Sequence, residues 1–361
     1  MTATKSDFSI ATLTAEAIDL LKKLIATPSF SKEEDKTADL IAYYLQSKNI
    51  KIVRKLNNVW AFSENFNTNL PTILLNSHHD TVKPNKSYTL DPFTPTEIGG
   101  KLYGLGSNDA GGALVSLIAT FLYYNQREYK PFNLIIAATA EEEISGNNGV
   151  ELVLPEFGKI DLAIVGEPTQ MQLAVAEKGL MVVDCTAKGK AGHAARNEGE
   201  NAIYKALKDI EWFRTYKFPK VSEMLGEVKM TVTIINAGTQ HNVVPDNCTF
   251  TVDIRPTDVH KNAEILAIIK ENVSCEVKER SIRLNASSIP ITHPIVQQGL
   301  RLGRTHYCSP TTSDQALMPF DSIKIGPGDS ARSHTADEYI YLDEVKEGIE
   351  LYIKLLDNLK L

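Results

Sequence analysis

Three consecutive carboxylates, Glu141, Glu142 and Glu143, follow the apolar run Phe132–Ala138 almost directly. Acids about 4 Å apart repel by roughly 4 kcal/mol at an effective dielectric near 20, so such a cluster at the mouth of a buried segment calls for a compensating charge. Other candidate ligands stand in comparable places. His78, His79 and Asp80 close the apolar stretch Pro71–Ser77, and alternation along a strand puts His78 and Asp80 on one face with His79 on the other. A carboxylate beside a ligating histidine can fix its ring tautomer. Asp109 lies in the glycine-rich turn Gly104–Gly112, Glu167 follows the apolar Leu162–Val165, and His334 follows Gly326-Pro327-Gly328 and a polar loop.

Each fragment has a plain structural reading when taken alone. A glutamate run suits a solvated helix start, and an aspartate after a glycine turn suits an N-cap. Together His78, Asp109, Glu143, Glu167 and His334, with Asp80 and Glu142 beside them, supply the imidazole and carboxylate mixture that suits zinc. An aspartate shared between two ions is what a two-metal site needs. Three carboxylates against two divalent cations leave a net charge of about +1 before any hydroxide is added.

The elements that must position these residues alternate. A helix is expected over Thr14–Ile25, stopped near Pro28, and a second is opened by the capping-box spacing Ser31 to Glu34. Strands are expected at Val59–Phe62, Ile73–Asn76, Leu134–Ala138 and Ala163–Val165, giving an α/β layer pattern with ligands at strand carboxyl ends. The turn Gly104–Gly112 lacks the spacing of a phosphate or dinucleotide loop. From 178 to 288 the order becomes strand, helix, strand, strand, helix, strand, the βαββαβ pattern of a ferredoxin-like unit. The chain then returns and closes with an amphipathic helix carrying Ile349, Tyr352, Ile353 and Leu356. Two domains are expected, 1–177 with 289–361 and an inserted 178–288, consistent with a 361-residue length.

A formal net charge of −7 argues against nucleic acid as partner. No eighteen-residue apolar stretch exists, and the opening Met1–Asp7 carries no signal-peptide core, so a soluble cytoplasmic protein without a membrane partner is expected. Cys185, Cys248, Cys275 and Cys308 are widely spaced and read as buried small hydrophobes. His79, His241, His260, His293 and His306 stand outside any motif and read as structural.

The order His-x-Asp, glycine-flanked Asp, Glu-Glu, Gly-Glu-Pro-Thr and late His resembles the co-catalytic zinc aminoacylase family that includes acetylornithine deacetylase, succinyl-diaminopimelate desuccinylase and carboxypeptidase G. The resemblance spans nearly the whole chain. It implies a zinc-peptidase-like mixed sheet with helices on both faces and an inserted lid and dimerisation domain. It further implies that Asp109 bridges two divalent ions, zinc or substituting cobalt, with His78 and Glu167 on one and Glu143 and His334 on the other. Asp80 would orient His78 and Glu142 would be the general base. In the insert, His193 of Gly192-His193-Ala194-Ala195 would reach a neighbouring subunit's active site to hold the scissile carbonyl oxygen, while Asn242 and Arg255 match substrate-contacting positions.

The implied reaction is removal of the acyl group from an N-acyl amino acid by a homodimer. The length and the wording Asn108-Asp109-Ala110-Gly111-Gly112 resemble the biosynthetic deacylases, with N-acetyl-L-ornithine as first choice in arginine synthesis, and N-succinyl-L-ornithine, N-succinyl-L-diaminopimelate or a dipeptide as competitors. Leu105 stands where many members have Arg, and Ala110-Gly111 where they have Met-Lys. These departures touch the pocket and leave every implied ligand in place. An inert metal-binding scaffold is the other class of reading.

Overall fold

The computed structural model describes residues 9–127, 130–357 and 359–361. The opening Met1–Asp7, read above for the absence of a leader, lies outside them. The chain divides into two compact units: one holds the segment up to Val175, Ile289–Tyr307 and Ser313–Leu361, and the other holds Ala176–Ser288 and Cys308–Thr312. The inserted unit therefore takes back a short piece of chain, Cys308–Thr312, from beyond the expected boundary.

In the first unit, four parallel strands run side by side in the order Asn133–Thr139, Thr72–His78, Leu162–Val165, Ser322–Lys324. Antiparallel neighbours flank them, the hairpin Ile52–Lys55 with Asn58–Phe62 on one side and Leu173–Glu177 on the other, so the sheet is mixed as expected. Every residue of Thr72–His78 and Asn133–Thr139 is buried, which is why neither sequence alternates apolar with polar. Leu74, Ile135 and Ala163 point to one face, where they pack with Val150, Val153 and Phe157. The other face is covered by Gly112–Asn125, itself almost wholly buried beneath Ile10–Ile25 and Leu342–Leu356. A small sheet of Thr96–Ile98, Lys101–Tyr103 and Tyr339–Tyr341, unread in the sequence, anchors the segment after His334.

The helix Asp35–Ser47 forms, but the Ser31 to Glu34 capping box does not. Glu34 is the residue before the helix and makes no cap bond; its carboxylate instead accepts from the backbone N–H groups of Lys32 (2.6 Å) and Glu141 (3.2 Å) and from Asn57 Nδ2 (2.8 Å). Ser31 Oγ donates to Asp80 Oδ2 at 2.6 Å. Long-range partners, an acceptor for Ser31 and donors for Glu34, have outcompeted the local cap.

The second unit is a four-stranded antiparallel sheet in the order Lys229–Ala237, Asn247–Arg255, Met181–Lys188, Glu276–Ser281. With helices Ala202–Thr215 and Asn262–Asn272 this is the expected ferredoxin-like arrangement. Its core gathers the inward residues of Met181–Lys188 and Asn247–Arg255 with Ala206, Phe213, Ile265 and Ile269. All four cysteines are free thiols; Cys185 and Cys248 are buried, but Cys275 is half-buried and Cys308 exposed, so burial holds for only two of them.

Candidate metal centre

The four parallel strands end on one edge, and their carboxyl ends deliver the ligand candidates. His78 is the last residue of its strand and Glu167 lies two residues beyond Val165. Glu142 and Glu143 open a short 3-10 turn, Glu142–Ile144, three residues after Thr139. The loop after Ser322–Lys324 leads to His334, whose backbone is left-handed with φ 59°.

Asp109 comes from the turn Ser107–Gly111, just ahead of the helix Gly112–Asn125, so its placement at a helix start is nominal. Asp109 and Ala110 are non-helical, at φ −118° with ψ 99° and 31°, and the peptide bond between them is cis.

Two trios converge, His78 with Asp109 and Glu167, and Glu143 with His334 and the same Asp109. Asp109 turns one oxygen to each: Oδ1 lies 3.4 Å from His78 Nε2, and Oδ2 lies 3.7 Å from His334 Nε2. Glu167 Oε1 is 3.8 Å from His78 Nε2, and Glu143 Oε2 is 3.0 Å from His334 Nε2. Ligands bound about 2.1 Å from a tetrahedral ion stand roughly 3.4 Å from one another, so these separations fit one ion per trio. His78 Nε2 is buried and has no hydrogen-bond partner, aimed into its trio. A buried ring nitrogen left so is costly unless a cation completes it.

The electrostatics point the same way. Burial would lower the His78 ring, but the neighbouring carboxylates of Asp109 and Asp80 and the charges of Glu142 and Glu167 hold it well above its ordinary value. Burial, with the Asp109 charge next in size among those raising it, pushes Glu167 up to about 8. Burial also pushes Glu142 well up, with Glu167, Asp314 and Glu143 adding to it against His78. The bond to Glu143 raises His334 to about 9. These carboxylates crowd one another without enough positive charge from protein side chains.

Asp80 touches both the His78 ring and the acids that follow Glu141. His78 Nδ1 lies 3.0 Å from the Asp80 backbone carbonyl and 3.4 Å from its carboxylate, while that carboxylate accepts from the backbone N–H of Glu142 (3.0 Å) and Glu143 (3.2 Å). One carboxylate thus holds the peptide groups of both acids. Glu142 Oε2 stands 4.0 Å from His78 Nε2 and belongs to neither trio. Glu141 is buried at φ 56°, and its carboxylate accepts from the backbone and side chain of Asn148, which shapes the following loop.

Supporting residues absent from the sequence reading are as telling. Glu338, 2% exposed, accepts from the backbone N–H of Gly106 (3.1 Å), Asn108 (2.8 Å) and Asp109 (2.9 Å). Burial and the Asp109 charge push it up to about 8, against those three donors. Its sequence signal is a carboxylate four residues after the late histidine. Asn108 exchanges hydrogen bonds with the backbone of Asp329, and a side chain at Gly328 would meet Asn108 Oδ1 at 2.5 Å, so that glycine permits the close approach. Beneath the strand ends, Asn76 Oδ1 accepts from Thr139 Oγ1 (2.8 Å) and its Nδ2 donates to the buried Asp314 Oδ2 (3.1 Å).

The substrate-binding candidates lie in the inserted unit. His193 is exposed; its strand pair puts it opposite Val243, and the Ala194 N–H donates to the Asn242 carbonyl at 2.9 Å, so His193 and Asn242 are neighbours. Arg255 engages the Asp253 carboxylate through Nε (2.8 Å) and Nη2 (3.1 Å).

Known proteins resemble this chain in sequence and in fold. The family model described as peptidase family M20/M25/M40 matches residues 74–358. Acetylornithine deacetylase of Proteus mirabilis (strain HI4320) is 27% identical, over 94% of this chain and 96% of its own length. Among solved structures, aminopeptidase PepT from Bacillus cereus ATCC 10987 superposes with a TM-score of 0.76 at 17% identity, covering 96% of this chain and 98% of its own. The YXEP protein of Bacillus subtilis, described as a dinuclear metal binding peptidase from the M20 family, gives 0.72 at 16% identity, covering 97% and 99%. With the family model spanning most of the sequence and the two trios meeting on the sheet edge, the chain belongs to peptidase family M20/M25/M40 and is a metal-dependent hydrolase.

Proposed function

We propose that this chain removes the acyl group from an N-acyl amino acid, with N-acetyl-L-ornithine as substrate and L-ornithine and acetate as products. The observation that carries the hydrolytic reading is the pair of trios sharing Asp109, with the orphaned His78 Nε2 aimed into one of them. The choice of acyl group is supported by curated relatives named acetylornithine deacetylase that span 94% of the chain.

Two zinc ions fit the donor set, one held by His78, Glu167 and Asp109, the other by Glu143, His334 and Asp109, with cobalt as a substitute. Bound divalent cations raise the acidity of a water and polarise the carbonyl under attack. Glu142, outside both trios, takes the proton of the attacking water and returns it to the leaving amine. Asp80 keeps Glu142 and Glu143 in register through their peptide N–H groups. The family resemblance assigns His193, from a partner subunit, to the scissile carbonyl oxygen, and Asn242 and Arg255 to the substrate. An α-carboxylate would share the Arg255 guanidinium with Asp253.

We take the protein to be a cytoplasmic homodimer joined through the inserted unit. Lys229–Ala237 is the edge of that unit's sheet, and it exposes Ile234 and Ile235, with Tyr204 and Leu207 exposed on the helix Ala202–Thr215. An uncovered edge with apolar side chains invites strand pairing. No helix among the described residues is long and apolar enough to cross a membrane.

The deciding experiment compares turnover of N-acetyl- and N-succinyl-L-ornithine by the zinc-loaded protein. The acetyl compound is expected to be preferred in kcat/KM; a strong preference for the succinyl compound would overturn the substrate assignment while leaving the hydrolase intact.

A further inference from the structure

The turn that carries Asp109 is held by its own backbone only at its ends, where the Ser107 N–H donates to the Gly104 carbonyl (3.1 Å) and the Gly111 N–H to the Gly106 carbonyl (3.0 Å). Between those ends Asp109 and Ala110 depart from helical dihedrals, and the Asn108 and Asp109 N–H groups donate to a side chain instead. Gly106 is left-handed at φ 76°, which turns the chain so that the Gly106, Asn108 and Asp109 N–H groups can converge. All three converge on the carboxylate of Glu338, Oε1 taking Asn108 and Asp109 and Oε2 taking Gly106. Glu338 is itself fixed, since its carbonyl accepts from Gly104 and the next residues, Tyr339–Tyr341, pair with Lys101–Tyr103.

This placement is electrostatically expensive. A second buried carboxylate beside Asp109 repels it, and an amide or hydroxyl would avoid that repulsion. A carboxylate is the side chain that offers acceptors only, on two oxygens, to three donors. The stretch His334–Glu338 thereby reaches Asp109 twice, through the His334 ring beside the Asp109 carboxylate and through Glu338 on the Asp109 peptide N–H.

We propose that Glu338 is the positioning residue for the bridging aspartate, its carboxylate clamping the Gly106–Asp109 backbone so that the two Asp109 oxygens face both ion sites at once. The inference rests on the two-metal reading of the centre. Because Asp109 is common to both trios, loss of the clamp weakens both ions together, whereas loss of Glu143 or Glu167 acts first on one.

The test is Glu338→Gln. Its amide can keep an oxygen on Asn108 and Asp109 only by turning an NH2 toward the Gly106 N–H, donor against donor. Zinc per chain and zinc affinity by chelator competition are measured on the full-length protein, beside wild type, with circular dichroism and the urea midpoint of the metal-free protein as folding controls. The expected result is a folded variant whose affinity falls about 10- to 100-fold at both sites together. A folded Glu338→Gln protein that binds two zinc ions with wild-type affinity overturns the clamp, even if its metal-free midpoint has dropped, since that is all a purely structural role would move. Should the Gln variant fail to fold, Glu338→Asp keeps the charge on a shorter arm and is expected to fold with weakened binding at both sites; wild-type binding by it overturns the clamp. Wild-type protein that takes up no zinc overturns the metal reading itself, and the clamp with it.

Discussion

At the scale of single residues, the three adjacent glutamates divide their labour because the chain turns between them. The left-handed backbone at Glu141 sends its carboxylate back to Asn148, while the 3-10 turn that follows points Glu142 and Glu143 toward His78 and His334. Glu143 completes a trio and Glu142 does not. Replacing Glu142 by Gln should therefore leave both ions bound and lower kcat by on the order of 10²- to 10⁴-fold, the range of a lost general base. The measurement is kcat on N-acetyl-L-ornithine beside elemental analysis of the purified variant. Near-wild-type turnover, or loss of metal, would refute the division of roles.

At the scale of elements, the site exists because four parallel strands stop on the same edge. Three of the four were legible in the sequence, since the unalternating runs before His78, Glu141 and Glu167 are what strands buried on both faces look like; the short Ser322–Lys324 was not among the expected strands. The acids that support the edge were not legible, because their partners are backbone N–H groups or hydroxyls far away in sequence. Glu34 looked like half of a capping box and instead receives the Glu141 N–H; Glu338 had only its place four residues after His334 to mark it. Short strand pairs, such as Lys101–Tyr103 with Tyr339–Tyr341, were missed for the same reason, their pairing being long-range. The inserted unit was readable as strand and helix order because its central strands, Met181–Lys188 and Asn247–Arg255, alternate. Its edge strand yields an element-scale prediction. Ile235→Lys places a charge at the centre of the exposed edge and should convert a dimer to monomer in light scattering or sedimentation, with little change in the unfolding midpoint, since Ile235 is half exposed. Wild-type protein that is monomeric at micromolar concentration would remove the dimer, and with it the role given to His193.

At the scale of the whole molecule, the ligand set is drawn from positions spread between His78 and His334, and the intervening insert leaves the first unit discontinuous in sequence. A chain that must return after the inserted unit to supply His334 and Glu338 cannot assemble the centre from its leading segment alone, so the centre reports on the completed first unit. The central claim is that Asp109 joins two ion sites into one. The measurement that meets it most directly is zinc bound per chain, by elemental analysis after equilibration against buffered zinc, for wild type and for Asp109→Ala. About two ions per wild-type chain, and the loss of both from a folded Asp109→Ala variant, is the result expected of a shared ligand. A wild type that holds one ion or none, or an Asp109→Ala variant that keeps both, would contradict it.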